Sequence, residues 1–242
     1  MGVIVDIPRQ IGSVLIFDKV LDIVKATGPS EGKRILDVPA GQGAFADELF
    51  RQKLGMEIRC GDKAPEGFKL NHIECDKVDL NKAWPYSDSY FDFVACIEGI
   101  EHLENPFHLI REAARVLRGG GSLIITTPNI ASLRSRKQYL LYAFHVHFDY
   151  MVDPVEHINP ISFIEIRYAL NANGFRIEAT ETNRLLKKHS VFYNFLKLIV
   201  KTRGRSRVRK KPEASIVRNA LLDDRLLFGE HLIVHAIKCD GA

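Results

Sequence analysis

The chain has 242 residues, 46% of them apolar and 26% charged, with a formal net charge of +4. That length buries one sizeable core and is slightly long for two independent ones, which predicts a single domain over residues 1–242 carrying insertions. With no run of eighteen uncharged apolar residues and no leader of basic, apolar and small residues in that order, the expectation is a cytoplasmic chain that neither spans a membrane nor is secreted.

Residues 10–27 carry Ile11, Val14, Leu15, Leu21 and Val24 at the three-and-four spacing of an amphipathic helix, ended by Gly28 and Pro29. A short strand follows at 34–38, a helix at 45–54, and strands at 56–60, 73–75 and 91–97. Residues 107–117 form a helical apolar face through Leu109, Ile110, Ala113, Val116 and Leu117, and Gly119 to Gly121 are expected to stop it before a strand at 122–127. This alternation predicts an α/β fold with a mostly parallel sheet covered on both faces. Residues 129–160 carry Arg134, Arg136, Lys137 and an aromatic run from Tyr139 to Tyr150. So long a stretch between core elements predicts a partly helical cap over the carboxyl ends of the strands, where open α/β sheets bind ligands. A helix at 162–173, a strand at 175–181, a second insertion at 184–226 and a last strand at 230–237 complete the chain. Cys60, Cys75, Cys96 and Cys239 lie near strand ends without metal-ligand spacing and read as buried thiols of a reducing compartment.

Chemistry begins at the loop after the first strand. The run Ile35-Leu36-Asp37-Val38-Pro39-Ala40-Gly41-Gln42-Gly43 puts a carboxylate at the strand end and two glycines in the turn that opens the next helix. Read as G-x-G-x-x-A, Gly41 to Ala46 also fits a dinucleotide loop, with Asp62 about twenty residues on as a ribose ligand. Asp37 argues against a pyrophosphate, which favours a donor-rich, carboxylate-poor site; the cationic amino-acid end of S-adenosylmethionine can use an acid there. Asp62 can accept from both ribose hydroxyls in either case. Each acid alone reads as an exposed strand-end residue or local cap, and it is their placement at successive strand ends that points to a ligand. Asp79 follows the third strand, where its carboxylate could accept from an adenine amino group while the Leu80 amide donates to a ring nitrogen. Asp76 is the alternative at that edge.

Several motifs in order carry a resemblance: Leu36 to Gly43, Tyr90-Phe91-Asp92-Phe93-Val94, Glu98-Gly99-Ile100-Glu101-His102-Leu103, Arg115 to Gly121, Thr127-Pro128-Asn129 and Glu156-His157. From about Arg34 to Phe175, and again in the last strand, the chain resembles the class I S-adenosylmethionine-dependent methyltransferases, particularly the ubiquinone and menaquinone biosynthesis group. The resemblance implies a Rossmann-like seven-stranded sheet with an antiparallel final strand. It implies S-adenosyl-L-methionine as cofactor and S-adenosyl-L-homocysteine as product. Asp37 and the backbone of Pro39, Ala40, Gly41 and Gly43 would then approach the methionine part, Asp62 the ribose, and Asp79 with Leu80 the adenine. Glu98 would meet the cofactor at the fourth strand. Pro39 departs from the glycine common in the family; it removes one amide donor, so the loop works only if that amide is not required.

Methyl transfer is an in-line displacement that needs alignment of methyl and acceptor more than a covalent nucleophile. A hydroxyl acceptor gains from a base or a metal. His102, just after the fourth strand, and His157, with Asp153 and Glu156 near it, are the candidate catalytic bases; their plainer roles are fixing the turn and closing the pocket. Glu98, Glu101 and His102 form an oxygen and nitrogen cluster able to hold a divalent cation, but the commoner arrangement divides their jobs and no metal is assigned. His145 and His147 read as surface or substrate-shaping residues. In the second insertion the apolar run from Val191 to Val200 precedes a tract in which eight of the fifteen residues from Lys197 to Lys211 are basic. It reads as a helix packed on the enzyme or on a partner in a homodimer, or as peripheral membrane contact suited to a lipid-linked acceptor. The functional expectation is O-methylation of a small-molecule or lipid-linked acceptor. A nucleic-acid methyltransferase and a noncatalytic cofactor-binding protein are the alternatives.

Overall fold

Residues 11–149, 157–186 and 223–240, with 195, 198, 199 and 202, are described by the computed structural model. Seven strands, β1 (Arg34–Asp37), β2 (Glu57–Asp62), β3 (Cys75–Lys77), β4 (Phe91–Ile97), β5 (Leu117–Pro128), β6 (Phe175–Thr182) and β7 (His231–Lys238), form one sheet in the order β3-β2-β1-β4-β5-β7-β6. All pairs are parallel except β5 with β7 and β7 with β6. Two-residue periodicity divides the core between the faces. Ile35, Phe93, Ile124 and Ile233 pack under α1 (Ile11–Ala26) and α2 (Ala44–Arg51). Their neighbours Leu36, Val94, Leu123 and Val234 pack under α3 (Pro106–Val116) and α5 (Phe163–Ala172). A doubly covered parallel sheet demands such unbroken apolar strands.

The strand order reverses between β1 and β4, and that point opens a crevice at their carboxyl ends. The chain leaves β6 at this same edge, and the short helix α6 (Asp224–Phe228) leads into β7 there, with Leu185 and Gly229 bridged. The last strand therefore enters from the carboxyl edge and must run antiparallel.

The sheet, its final strand and the helix positions follow the sequence expectations, with two shifts. The third strand lies at Cys75–Lys77, two residues late, because Cys75 pairs with Cys60 while Ile73 turns into a small apolar cluster. The glycines after α3 do not separate helix from strand: β5 already starts at Leu117, opposite Phe91, and a register shift between Phe91 and Phe93 absorbs Gly119 to Gly121. Of the four free thiols, Cys60 and Cys96 are buried, Cys75 is half-buried and Cys239 is exposed, since it lies beyond the end of β7.

The expected cap contains α4 (Leu133–Tyr142), capped by Ser132, whose side chain accepts from the Ser135 amide. Residues 150–156, with Asp153 and Glu156, lie outside the described residues, as does most of the 184–226 insertion, including the basic tract apart from the single residues named above. Among the described residues no helix is long and apolar enough to cross a membrane.

Candidate functional site

The turn after β1 is built by backbone bonds that bypass residue 39. Val38 donates to the Ala95 carbonyl at 2.9 Å, Ala40 to Gly61 at 3.0 Å, and the Gly41 amide to Asp62 Oδ2 at 2.8 Å. Pro39 therefore deprives the loop of no bond that its neighbours make; the Val38–Pro39 peptide is cis. Gly43 caps α2 with φ 95°, and a Cβ there would lie 2.8 Å from Phe68 Cε2 and 3.0 Å from Leu70 Cδ1. Gly41 also has positive φ, 53°, but open space around it. Gly43→Ala should therefore cost about 2 kcal/mol through strain and crowding together, and Gly41→Ala about 1 kcal/mol through strain alone. Urea midpoints of the two variants check that order; equal midpoints would show that Phe68 and Leu70 yield freely.

This loop forms one wall of a cavity of about 710 Å³ at the carboxyl ends of β1 and β4. Of the residues singled out from sequence, Asp37, Pro39, Ala40, Gly41, Asp62, Asp79, Leu80, Glu98 and His102 all line it. Gly43 stands behind the loop at the helix start, and His157 stands behind His102, their rings 4.7 Å apart. Phe17, Lys63 and Asn81 also line the cavity and were not anticipated.

Asp37 is buried, and its Oδ2 has no hydrogen-bond partner. Burial pushes its carboxyl up to about 8; a hydrogen bond from the Ala46 amide opposes this and the Asp62 charge adds to it. A buried carboxylate with an unsatisfied oxygen aimed at a ligand cleft suits a cation and disfavours a pyrophosphate. Asp62, at the end of β2, accepts from Gly41 and, at 2.9 Å, from the Ala64 amide, one bond to each oxygen. Each oxygen keeps a lone pair for a vicinal diol. Asp79 is held below the usual carboxylate range by the Asn81 amide, against a small burial effect, with Lys82 helping. Asp76 is turned to Arg59 and does not line the cavity, so the acid at this edge is Asp79.

At the other end Glu98 adopts a left-handed backbone, φ 47°. Its carboxylate is fixed twice: Thr126 Oγ1 donates to Oε1 at 2.8 Å, and His231 Nε2 lies 3.2 Å from Oε2. Burial opposes a charge on His231, but the hydrogen bond and charge of Glu98, with that of Glu230, outweigh it and raise its pKa. Asn183 Nδ2 lies 3.1 Å from His231 Nδ1 and 3.3 Å from Glu230, and Glu230 takes Arg184 in a two-point ion pair at 2.6 and 2.8 Å. Sequence reasoning missed this chain of contacts, because Glu98, Thr126, Asn183 and His231 meet only across four strands. The one available signal was Glu230-His231 opening an antiparallel last strand.

Beneath His102, Glu101 is fully buried and neither carboxylate oxygen has a hydrogen-bond partner. Burial, then the Glu98 charge, push its carboxyl well above the usual range. The Glu101 backbone carbonyl accepts from Asn159 at 2.9 Å, and the Asn159 side chain donates to the Leu103 carbonyl at 3.1 Å, tying Asn159 to this turn. His157 Nδ1 donates to the His147 carbonyl at 2.6 Å, which turns Nε2 to the opposite side of the ring. Donor atoms of Glu101, His102 and His157 lie within 4.8 Å of one another, the one group among the described residues close enough to share a divalent cation.

Three comparisons bear on this geometry. Residues 12–180 match a family model described as a methyltransferase domain. A ubiquinone biosynthesis O-methyltransferase of Xanthomonas oryzae pv. oryzae is 35% identical over 118 residues, 45% of this chain and 48% of that protein, so the match spans about half the length of the curated relative. A solved S-adenosylmethionine-dependent methyltransferase from Archaeoglobus fulgidus superposes with a TM-score of 0.59 at 20% identity, covering 93% of this chain and 94% of that one. Phosphoethanolamine N-methyltransferase 2 of Haemonchus contortus, solved with S-adenosylmethionine, gives 0.56 at 18% identity, over 92% of this chain and 53% of that one. At such identities the two structures speak to fold alone.

Proposed function

The chain belongs to the class I S-adenosylmethionine-dependent methyltransferase family, and from that premise we propose that it methylates an oxygen of a small or lipid-linked acceptor by direct in-line transfer. The observation that carries the reading is the single cavity of about 710 Å³ in which Asp37, the 39–41 backbone, Asp62, Asp79, Leu80 and Glu98 meet. When bound, S-adenosylmethionine supplies an electrophilic methyl group on a positively charged sulfonium. The chain's own residues bind and orient. Asp37 is the acid for the ammonium, Asp62 for the ribose hydroxyls, and Asp79 with the Leu80 amide for the adenine edge. Glu98, held by Thr126 and His231, sets a fixed negative charge at the wall nearest the acceptor side.

His102 lines the cavity and His157 lies against it, so this pair is the assigned route for the acceptor's proton. The His147 carbonyl orients His157 for that task. The O-methyltransferase named among the relatives favours oxygen as the methylated atom.

Incubation with methyl-labelled S-adenosylmethionine and acceptor pools, followed by mass analysis of every labelled product, tests the assignment. Label on a hydroxyl of a small-molecule or lipid fraction is expected, with S-adenosylhomocysteine released only when acceptor is present. Cofactor binding without labelled product from small molecules, lipids or nucleic acids would sink it. Repeating the assay after chelation separates a histidine base from a cation at Glu101, His102 and His157.

A further inference from the structure

Gly99 opens the turn that carries Glu98 and His102. Glu98 precedes it, and a single helical turn, Ile100–His102, follows, with the His102 amide donating to the Gly99 carbonyl at 3.2 Å. The position of Gly99 therefore sets the positions of both side chains. Its backbone does not call for glycine, because φ is −128°, on the side of the map open to every residue. The demand comes from space: a Cβ on Gly99 would lie 2.7 Å from Pro39 Cγ, nearer still to Pro39 Cδ, and 3.2 Å from Cys96 Sγ.

Neither side of this contact can retreat easily. The residues flanking Pro39 are bonded to different strands, Val38 to the Ala95 carbonyl of β4 at 2.9 Å and Ala40 to the Gly61 carbonyl of β2 at 3.0 Å. Across the contact, Glu98 is held by Thr126 of β5 and His231 of β7, and the Cys96 thiol beside Gly99 is fully buried in β4. Pro39, Glu98, Gly99 and His102 all line the cavity of about 710 Å³. A ligand lying on the 39–41 backbone is thus separated from the His102 turn by one rigid ring. The ring and any side chain on residue 99 compete for the same space, so the two positions act as a pair.

We propose that Pro39 is a positioning residue for methyl transfer: its ring, seated on Gly99, fixes the spacing between the loop that receives the donor and the turn that presents Glu98 and His102. The role rests on the methyltransferase reading above. Pro39 acts through Gly99. Without the ring, the turn loses its support and can settle toward the loop; with a side chain added at 99, the ring is driven into the cavity that both residues line.

The test compares four full-length chains, the wild type, Pro39→Gly, Gly99→Ala and the double variant, by calorimetric titration with S-adenosylhomocysteine and by hydrogen exchange of the His102 amide, followed by NMR at saturating ligand. Gly99→Ala should bind about tenfold more weakly, the scale of crowding one tight contact. Pro39→Gly should still bind, but at saturation its His102 amide should exchange about tenfold faster than in the wild type. The Ile166 amide, bonded to the Ser162 carbonyl at the start of α5, should keep its rate, which separates a local loss of position from general loosening. The double variant should bind at least about threefold more tightly than Gly99→Ala alone, because the added methyl takes the space that the ring vacates. Losses that simply add in the double variant, or a His102 amide that exchanges no faster in saturated Pro39→Gly, would each overturn the role while S-adenosylhomocysteine binding leaves the donor site standing. Should Gly99→Ala not fold, the exchange rates of the wild type and Pro39→Gly decide alone. A wild type that binds no S-adenosylhomocysteine would overturn the donor site and the role of Pro39 with it.

Discussion

Asp62→Ala is expected to weaken S-adenosylmethionine binding by about 100-fold while the domain stays folded. Two hydrogen bonds from ribose hydroxyls to a carboxylate contribute roughly 1.5–3 kcal/mol each and are not fully additive, so a loss near 3 kcal/mol, or two orders of magnitude, is the scale. The same substitution removes the acceptors of the Gly41 and Ala64 amides. Both amides lie at an exposed strand end where water can replace the lost acceptor, so the melting temperature should fall by only a few degrees, about 1 kcal/mol of stability. Asp62→Asn keeps one acceptor oxygen and should fall between wild type and alanine. Calorimetric affinity beside a thermal scan separates the two effects; unchanged affinity in the alanine variant would remove Asp62 from the site.

Asp37→Asn should act in opposite directions on stability and on binding. The Asp37 carboxyl is raised from 3.8 to about 8, mainly by burial. Between those pH values the folded chain holds a proton that the unfolded chain has released, so its contribution to stability is intact below the unfolded value and is lost as pH rises through the folded one. Carried through linkage, the loss is on the order of 5 kcal/mol once pH exceeds 8. Asparagine does not titrate. The variant should therefore melt near the wild type at pH 4 and well above it at pH 8, the gap opening steadily between. It should also bind S-adenosylmethionine more weakly, having lost the anion that faces the ammonium. A further signature follows at pH 7: wild-type binding should release a proton as Asp37 ionises against that cation. Heats measured in buffers of different ionisation enthalpy would show the release in the wild type and not in the variant. A variant that melts no higher at pH 8 would mean that Asp37 is ionised in the empty site.

That Asp37, Asp62 and Asp79 share one cavity was legible in the sequence because the pattern is local. Asp37, Asp62 and Asp79 each end or follow a strand, and parallel pairing of neighbouring strands brings successive strand ends to one edge without further information. The apolar alternation of Ile35 and Leu36, or of Phe93 and Val94, fixed the two faces for the same reason. The contacts around Glu98 are not local. Glu98 and Thr126 are 28 residues apart, and Asn183 and His231 are 48 apart, so their contacts depend on how β7 threads between β5 and β6. The histidine pair shows the limit in one place: His102 and His157 were picked separately from short motifs, but their tilted approach at 4.7 Å, and the His147 carbonyl that takes the His157 Nδ1 proton, depend on how the residues beyond α4 meet the turn after β4. The glycine run after α3 misled for a physical reason as well. Glycine ends helices and also permits a twisted strand entry, and only the partner strand decides between them.

The most direct test of the account is a crystal structure of the full chain with S-adenosylhomocysteine. The prediction is ligand in the cavity at the ends of β1 and β4, with both ribose hydroxyls on the Asp62 carboxylate, the amino group beside Asp37 and the adenine edge at Asp79 and Leu80. Ligand seated elsewhere, or this cavity vacant at saturating concentration, would contradict it.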